Sequence, residues 1–229
     1  MLRRVFITGA NTGIGFELAK QYISRGDDVA LFDIHFNEQT KQSLSELADD
    51  YQYIEYFATH ICDNEALQTQ VNNAIAAIGK PDLAIFSCST NEQLSKENSI
   101  DSIACQHFAT LITPHLSMNG HLAITSPLID ATKFTPEPNA LILAKKLRKK
   151  FKPNNIKISL ICASKKYLGL ANTADTANHI LRSLDKQKLM VILGLQSKLT
   201  YIMSRYLPNW IMGSVMDRLI KQQLIRTTR

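Results

Sequence analysis

The feature that most limits the folds open to this chain is the run Thr8-Gly9-Ala10-Asn11-Thr12-Gly13-Ile14-Gly15, set where an apolar β-rich segment gives way to a helical pattern. Glycines at such a turn permit positive φ and let the backbone approach a pyrophosphate, while the free N–H groups and the dipole at the helix start favour negative charge. Strand, glycine turn and helix in that order open a nucleotide-binding βαβ unit. The chain should therefore build a parallel sheet covered by helices.

The rest of the pattern agrees. Seven apolar β-rich runs, at 2–9, 27–34, 52–59, 81–88, 121–126, 156–163 and 188–194, alternate with stretches of helical apolar spacing. Ile14, Leu18, Tyr22 and Ile23 form one such stripe, and Ala66, Val71, Ile75 and Ile78 another. Strands that read as continuous apolar runs belong to a sheet buried on both faces. The expectation is an α/β chain with a Rossmann-type doubly wound parallel sheet of about seven strands and a helical C-terminal tail. Residues 1–195 would form the nucleotide-binding domain, and 196–229, interrupted by Pro208, a helical extension packed on it.

At the end of the second run stands Asp33, where a carboxylate can accept hydrogen bonds from an adenosine ribose. A 2′-phosphate would meet like charge there, and the glycine loop carries no Arg or Lys to compensate. NAD is favoured over NADP.

In its Gly-x-x-x-Gly-x-Gly order the loop resembles that of the short-chain dehydrogenase/reductase family. The resemblance implies cofactor contacts from Thr8, Gly9, Asn11, Thr12, Gly13, Ile14, Gly15 and Asp33. It also implies contacts from Asp63, which matches the aspartate of the adenine pocket, and from Ser87. Asp63 is equally a natural helix N-cap. Where the family has Asn-Asn-Ala-Gly after the fourth strand, this chain has Phe86-Ser87-Cys88-Ser89, and the missing glycine puts a side chain where backbone runs close to the cofactor.

Catalytic positions depart further. Asp101 stands at the family's Asn position, and Pro127 at its Ser position with Ser126 beside it. The family's Tyr-x-x-x-Lys pair aligns either with Leu141 and Lys145 or with Lys133 and Glu137. No tyrosine occurs between Tyr56 and Tyr167. Hydride transfer to a carbonyl leaves an alkoxide that needs a proton, and a placed donor contributes a factor of ~10²–10⁴. Ser126, Lys145 and a displaced phenol from Tyr167 are the remaining candidates, against the reading of Tyr167 as an ordinary loop tyrosine.

Two functional readings follow. One is an oxidoreductase of atypical or impaired catalysis on a small, unidentified substrate; the other is a non-catalytic NAD-binding protein that works through protein or membrane contacts.

Other features add limits. Four cysteines, Cys62, Cys88, Cys105 and Cys162, show no metal-ligand spacing and read as reduced core residues, so no metal is expected. His107, His115 and His121 read as polar surface or cap residues. The cations from Lys145 to Lys152 lie on a helix whose inward positions are Ala140, Leu143, Ala144, Leu147 and Phe151, and read as a solvated face with no specific nucleic-acid partner. The start of the chain lacks a cleavable apolar segment, so a cytoplasmic setting is expected. The basic, amphipathic tail, with Trp210, Met212 and Met216, fits packing on the domain or a second subunit, and fits peripheral contact with a membrane.

Overall fold

Val5 and Ile7 point to one side of the first strand and Phe6 to the other, and all three are fully buried. The computed structural model describes residues 2–87, 98–127, 138–163 and 173–193. Its strands are β1 (Arg4–Thr8), β2 (Asp28–Asp33), β3 (Ile54–Ala58), β4 (Leu83–Phe86), β5 (His121–Pro127), β6 (Lys157–Ala163) and β7 (Met190–Ile192). Its helices are α1 (Gly13–Ile23), α2 (Glu38–Ser45), α3 (Asn64–Ile78), α4 (Asn98–Ile112), α5 (Pro138–Phe151) and α6 (Thr173–Asp185).

The strands form one parallel sheet in the order β3-β2-β1-β4-β5-β6-β7. This is the doubly wound architecture expected. Val5, Ile7, Leu31 and Ile85 pack on one face with Leu18 and Tyr22 of α1, Leu44 of α2 and Ile180 of α6. Phe6, Phe32, Phe86 and Leu122 pack on the other with Val71 of α3, Phe108 of α4 and Leu147 of α5. The seven apolar runs are thus explained by burial on both faces.

Three local expectations change. In α3 the fully inward stripe is Leu67, Val71, Ala74 and Ile78, while Ala66 and Ile75 are half-buried flanks. The Asp63 cap, whose carboxylate accepts the Ala66 N–H at 3.0 Å, sets that phase. Of the described cysteines, Cys105 and Cys162 are buried but Cys62 is half-buried, and burial pushes the Cys162 thiol up to about 12. His107 and His115 are half-buried. His121 is not a surface residue. It is buried at the start of β5 with Nε2 2.7 Å from the Ser159 hydroxyl, and burial, with Arg3 and Lys157 adding positive charge, pushes its imidazole down to about 4.

Polar fasteners hold the opposite ends of the chain. Arg3 and Arg25 each reach Asp185 of α6 at 3.0 Å. Arg4 pairs with Asp82 at 3.2 Å. Burial alone would raise the Asp82 carboxyl, but hydrogen bonds from the Ser117 hydroxyl and from the Arg4 backbone and guanidinium outweigh it and leave it below the ordinary value. Within the basic run of α5, Lys145, Lys146, Lys149 and Lys150 face outward as expected. Arg148 instead folds inward and donates to the carbonyls of Ile158 at 2.7 Å and Leu189 at 2.8 Å. No helix among the described residues is long and apolar enough to cross a membrane. The extension 196–229 lies outside the described residues.

Candidate functional site

Because β1 sits between β2 and β4, the chain runs outward from β1 in one direction through β2 and β3, and in the other through β4 to β7. The crevice at such a reversal, beyond the carboxyl ends of the strands, is where open α/β sheets bind ligands. The loop from Thr8 to Gly15 opens into that crevice.

Each glycine of the loop has its own reason. Gly9 and Gly13 hold φ of +64°, a left-handed conformation costly for residues with Cβ. At Gly15 a Cβ would lie 2.1 Å from the Gly9 carbonyl oxygen, so helix and loop can close only without a side chain. Thr12 is the N-cap of α1, yet its side chain makes no capping bond, and the first turn contains no acidic residue. The N–H groups of that turn, which have no partner within the helix, are free for an anion. A Cβ at Gly13 would meet nothing within 4 Å, so the backbone there borders open space.

Asp33 ends β2 beside this loop. Its carboxylate accepts the Asn11 N–H at 2.9 Å and the Ile34 N–H at 2.8 Å. Asn11 is tied on two further sides: its side-chain oxygen accepts the Asn37 N–H at 3.2 Å, and its carbonyl accepts the Thr40 hydroxyl at 3.1 Å. Asn37 also caps α2 through the Thr40 N–H. Sequence reasoning missed Asn37 and Thr40. The Asn-x-x-Thr spacing before a helix is a cap signal, but nothing local shows that it reaches back to Asn11. Thr59, one residue past β3, donates its N–H to the Asp33 carbonyl at 2.8 Å, and its own buried hydroxyl has no partner.

On the other side of β1, the Thr8 hydroxyl donates to the Ser87 carbonyl and accepts the Ser87 N–H, both at 3.1 Å and both buried. The ends of β1 and β4 are thereby stitched together, with Ile14 buried beneath the loop. Asp33, the glycine loop, Ser87 and Ser126 thus occupy the carboxyl ends of four neighbouring strands, β2, β1, β4 and β5. Three strand spacings put Asp33 and Ser126 about 15 Å apart, a distance suited to an extended dinucleotide. Asp63 is exposed and occupied as the α3 cap.

The remaining candidates are not gathered in this way. Lys145 is exposed on α5, and Leu141, one of the two positions that align with the family's tyrosine, packs half-buried against the core. Tyr167, Lys133, Cys88 and Ser89 lie outside the described residues. Among the described residues no group of His, Cys, Asp or Glu could hold a metal ion.

Comparison with known proteins places this geometry. The family model for short chain dehydrogenase matches residues 3–125, more than half of the chain. The chain belongs to the short-chain dehydrogenase family. The match covers β1 to β4 and most of β5, and stops before α5. The fold is shared with solved family structures at low identity. LigD in its apo form, from a Sphingobium species, superposes with a TM-score of 0.72 at 16% identity, covering 94% of this chain and 96% of that one. A short-chain dehydrogenase from Streptomyces avermitilis superposes at 0.69 and 16%, covering 100% and 99%. One from Burkholderia cenocepacia, in complex with NADP, superposes at 0.69 and 13%, covering 86% and 98%. No curated protein matches the chain at a significant level.

Proposed function

We propose that this short-chain dehydrogenase family member binds NAD(H) in preference to NADP(H), and that it is an oxidoreductase of atypical or impaired catalysis on a small carbonyl or hydroxy compound. The reading rests chiefly on Asp33, whose carboxylate is held against the glycine loop at 2.9 Å from the Asn11 N–H. An ionised carboxylate offers about four acceptor positions, so two remain for the hydroxyls of an unphosphorylated ribose. A 2′-phosphate would be repelled at the same place. The Burkholderia relative carries NADP, which makes the cofactor choice of this chain a question about Asp33 rather than about the fold.

In this reading the first turn of α1 holds the pyrophosphate, Asp33 the ribose and Asp63 the adenine side, while Thr8 and Ser87 set the middle of the crevice. The bound dinucleotide supplies hydride chemistry. Ser126, Lys145 and Tyr167 are the groups left to orient a substrate and move a proton.

Calorimetry with NADH and NADPH on the intact protein tests the cofactor assignment. Clear preference for NADH is expected, relaxed by Asp33→Ala together with an introduced basic neighbour, and equal affinity of the unaltered protein for both would end the assignment.

One observation favours a second reading, that of a non-catalytic NAD-binding protein. Neither position that aligns with the family's tyrosine, Leu141 or Lys133, carries a phenol, and no tyrosine occurs between Tyr56 and Tyr167. Weak or absent turnover is expected across carbonyls and alcohols, and Tyr167→Phe should remove what remains if that phenol is a displaced acid. Strong turnover surviving this substitution would overturn the impaired-enzyme reading. We further assign the extension 196–229 to packing on the domain or on a second subunit, and place the chain's work in the cytoplasm with membrane contact at most peripheral.

A further inference from the structure

The net charge of +6 conceals a division along the chain. Residues 1–137 contain eight Lys and Arg against 17 Asp and Glu, whereas residues 138–229 contain 18 against three. Between Glu137 and Asp175 there is no acidic residue at all. Such asymmetry points to an anionic partner for the basic half.

The densest part of that half is presented by α5 and the turn that follows it. Lys145, Lys146, Lys149, Lys150 and Lys152 are all exposed, and none has an ion-pair partner among the described residues. Lys145 with Lys149, and Lys146 with Lys150, stand four residues apart on the same helix, an arrangement that repels and weakens the helix unless something offsets it. The helix is held regardless. Ala140, Ala144 and Leu147 are buried beneath it, and Arg148 fastens it to the carbonyls of Ile158 and Leu189. Ile142, half exposed, lies one turn before Lys146 on the same side. The result is a firm cationic face with an apolar residue at its margin.

From this face we infer a docking site for an anionic lipid surface. Charge complementarity selects the occupant. A second copy meeting this face across a two-fold axis would bring two lysine rows together, which is repulsive. Nucleic-acid grooves draw on arginine and on aromatic rings that stack with bases. Here the one arginine of the run is turned inward, and Phe151 is half-buried with Lys150 lying over its ring. Lysines on a firm helix beside an exposed aliphatic residue suit a negatively charged bilayer. The inference does not depend on the cofactor assignment.

Flotation of the full chain with phosphatidylcholine vesicles, and with vesicles of phosphatidylcholine and phosphatidylserine in equal parts, tests it. Binding is expected only to the anionic vesicles and should fall steeply with added salt. A variant carrying K146Q, K149Q, K150Q and K152Q leaves Lys145 in place. Each lysine near such a surface contributes about 1 kcal/mol, or about 5-fold, so this variant should lose more than 100-fold in partition. Arginine at the same four positions should retain it, which separates loss of charge from loss of folding. Equal binding to neutral vesicles, undiminished binding of the glutamine variant, or tighter binding to DNA than to the anionic vesicles at the same ionic strength would each overturn the inference.

Discussion

Acidification should destabilise this protein through His121, which is buried as a neutral imidazole. The Ser159 hydroxyl donates to the Lys188 carbonyl, so the His121 Nε2 facing it must be the donor in that contact. The ring is neutral and buried, and its folded-state value of about 4 lies below the 6.5 of an exposed histidine. The sign follows from proton uptake. As pH falls through 6.5 the unfolded chain takes up a proton that the folded chain refuses until about pH 4, so stability is complete above 6.5 and is lost between the two values. At about 1.4 kcal/mol for each tenfold difference, the loss at pH 4.5 amounts to about 2–3 kcal/mol. That is a large part of the ~5–15 kcal/mol typical of a domain. Asp82 and Asp185, both held below the ordinary carboxylate value, lose their contribution only at lower pH. Urea unfolding at pH 7.5 and 4.5 gives the measurement, with His121→Gln keeping a donor near Ser159 but removing the titration. The substitution should cost about 1 kcal/mol at pH 7.5 and reduce the acid-dependent loss by about 2–3 kcal/mol. Equal acid-dependent losses in the two proteins would refute the argument.

Two further outcomes are expected. Gly15→Ala forces a methyl group against the Gly9 carbonyl, and should cost roughly 1–3 kcal/mol in thermal or urea unfolding and abolish NADH binding by calorimetry; unchanged affinity would mean that the loop does not hold the pyrophosphate. Arg148→Ala leaves the Ile158 and Leu189 carbonyls without their charged donor and should cost about 1.5–3 kcal/mol, with Lys restoring part of it; an alanine variant of undiminished stability would show that α5 is fastened by packing alone.

What could be read from the sequence was what is local in it. Gly9, Gly13 and Gly15 announce themselves because backbone sterics leave no other residue at ease there. The strands were legible because a sheet covered on both faces needs apolar residues at consecutive positions, as from Val5 to Ile7. The partners of polar residues were not legible. Ser159, which turns His121 from a surface reading into a buried one, is 38 residues away in sequence. Asn11 is joined to Asn37 and Thr40 through a backbone path that no periodicity marks. Arg148 looked like its lysine neighbours because helical phase alone does not say which long side chain will curl toward a strand carbonyl. Chemistry at the nicotinamide end was legible mainly as a departure, since neither Leu141 nor Lys133 supplies the expected phenol and neither indicates a successor.

The central place of β1 has a consequence for how the protein is made. β1 pairs with β2, which follows it closely, but its other neighbour is β4, reached only after β3 and α3 have been synthesised. Closing short loops costs less entropy than closing long ones, so β1, β2 and β3 with α1 can assemble while the rest of the chain is still being translated. The half of the crevice that contains the glycine loop and Asp33 is therefore the first whose strands are all available to pair. The clasp of Arg3 and Arg25 on Asp185 closes only after α6 has emerged.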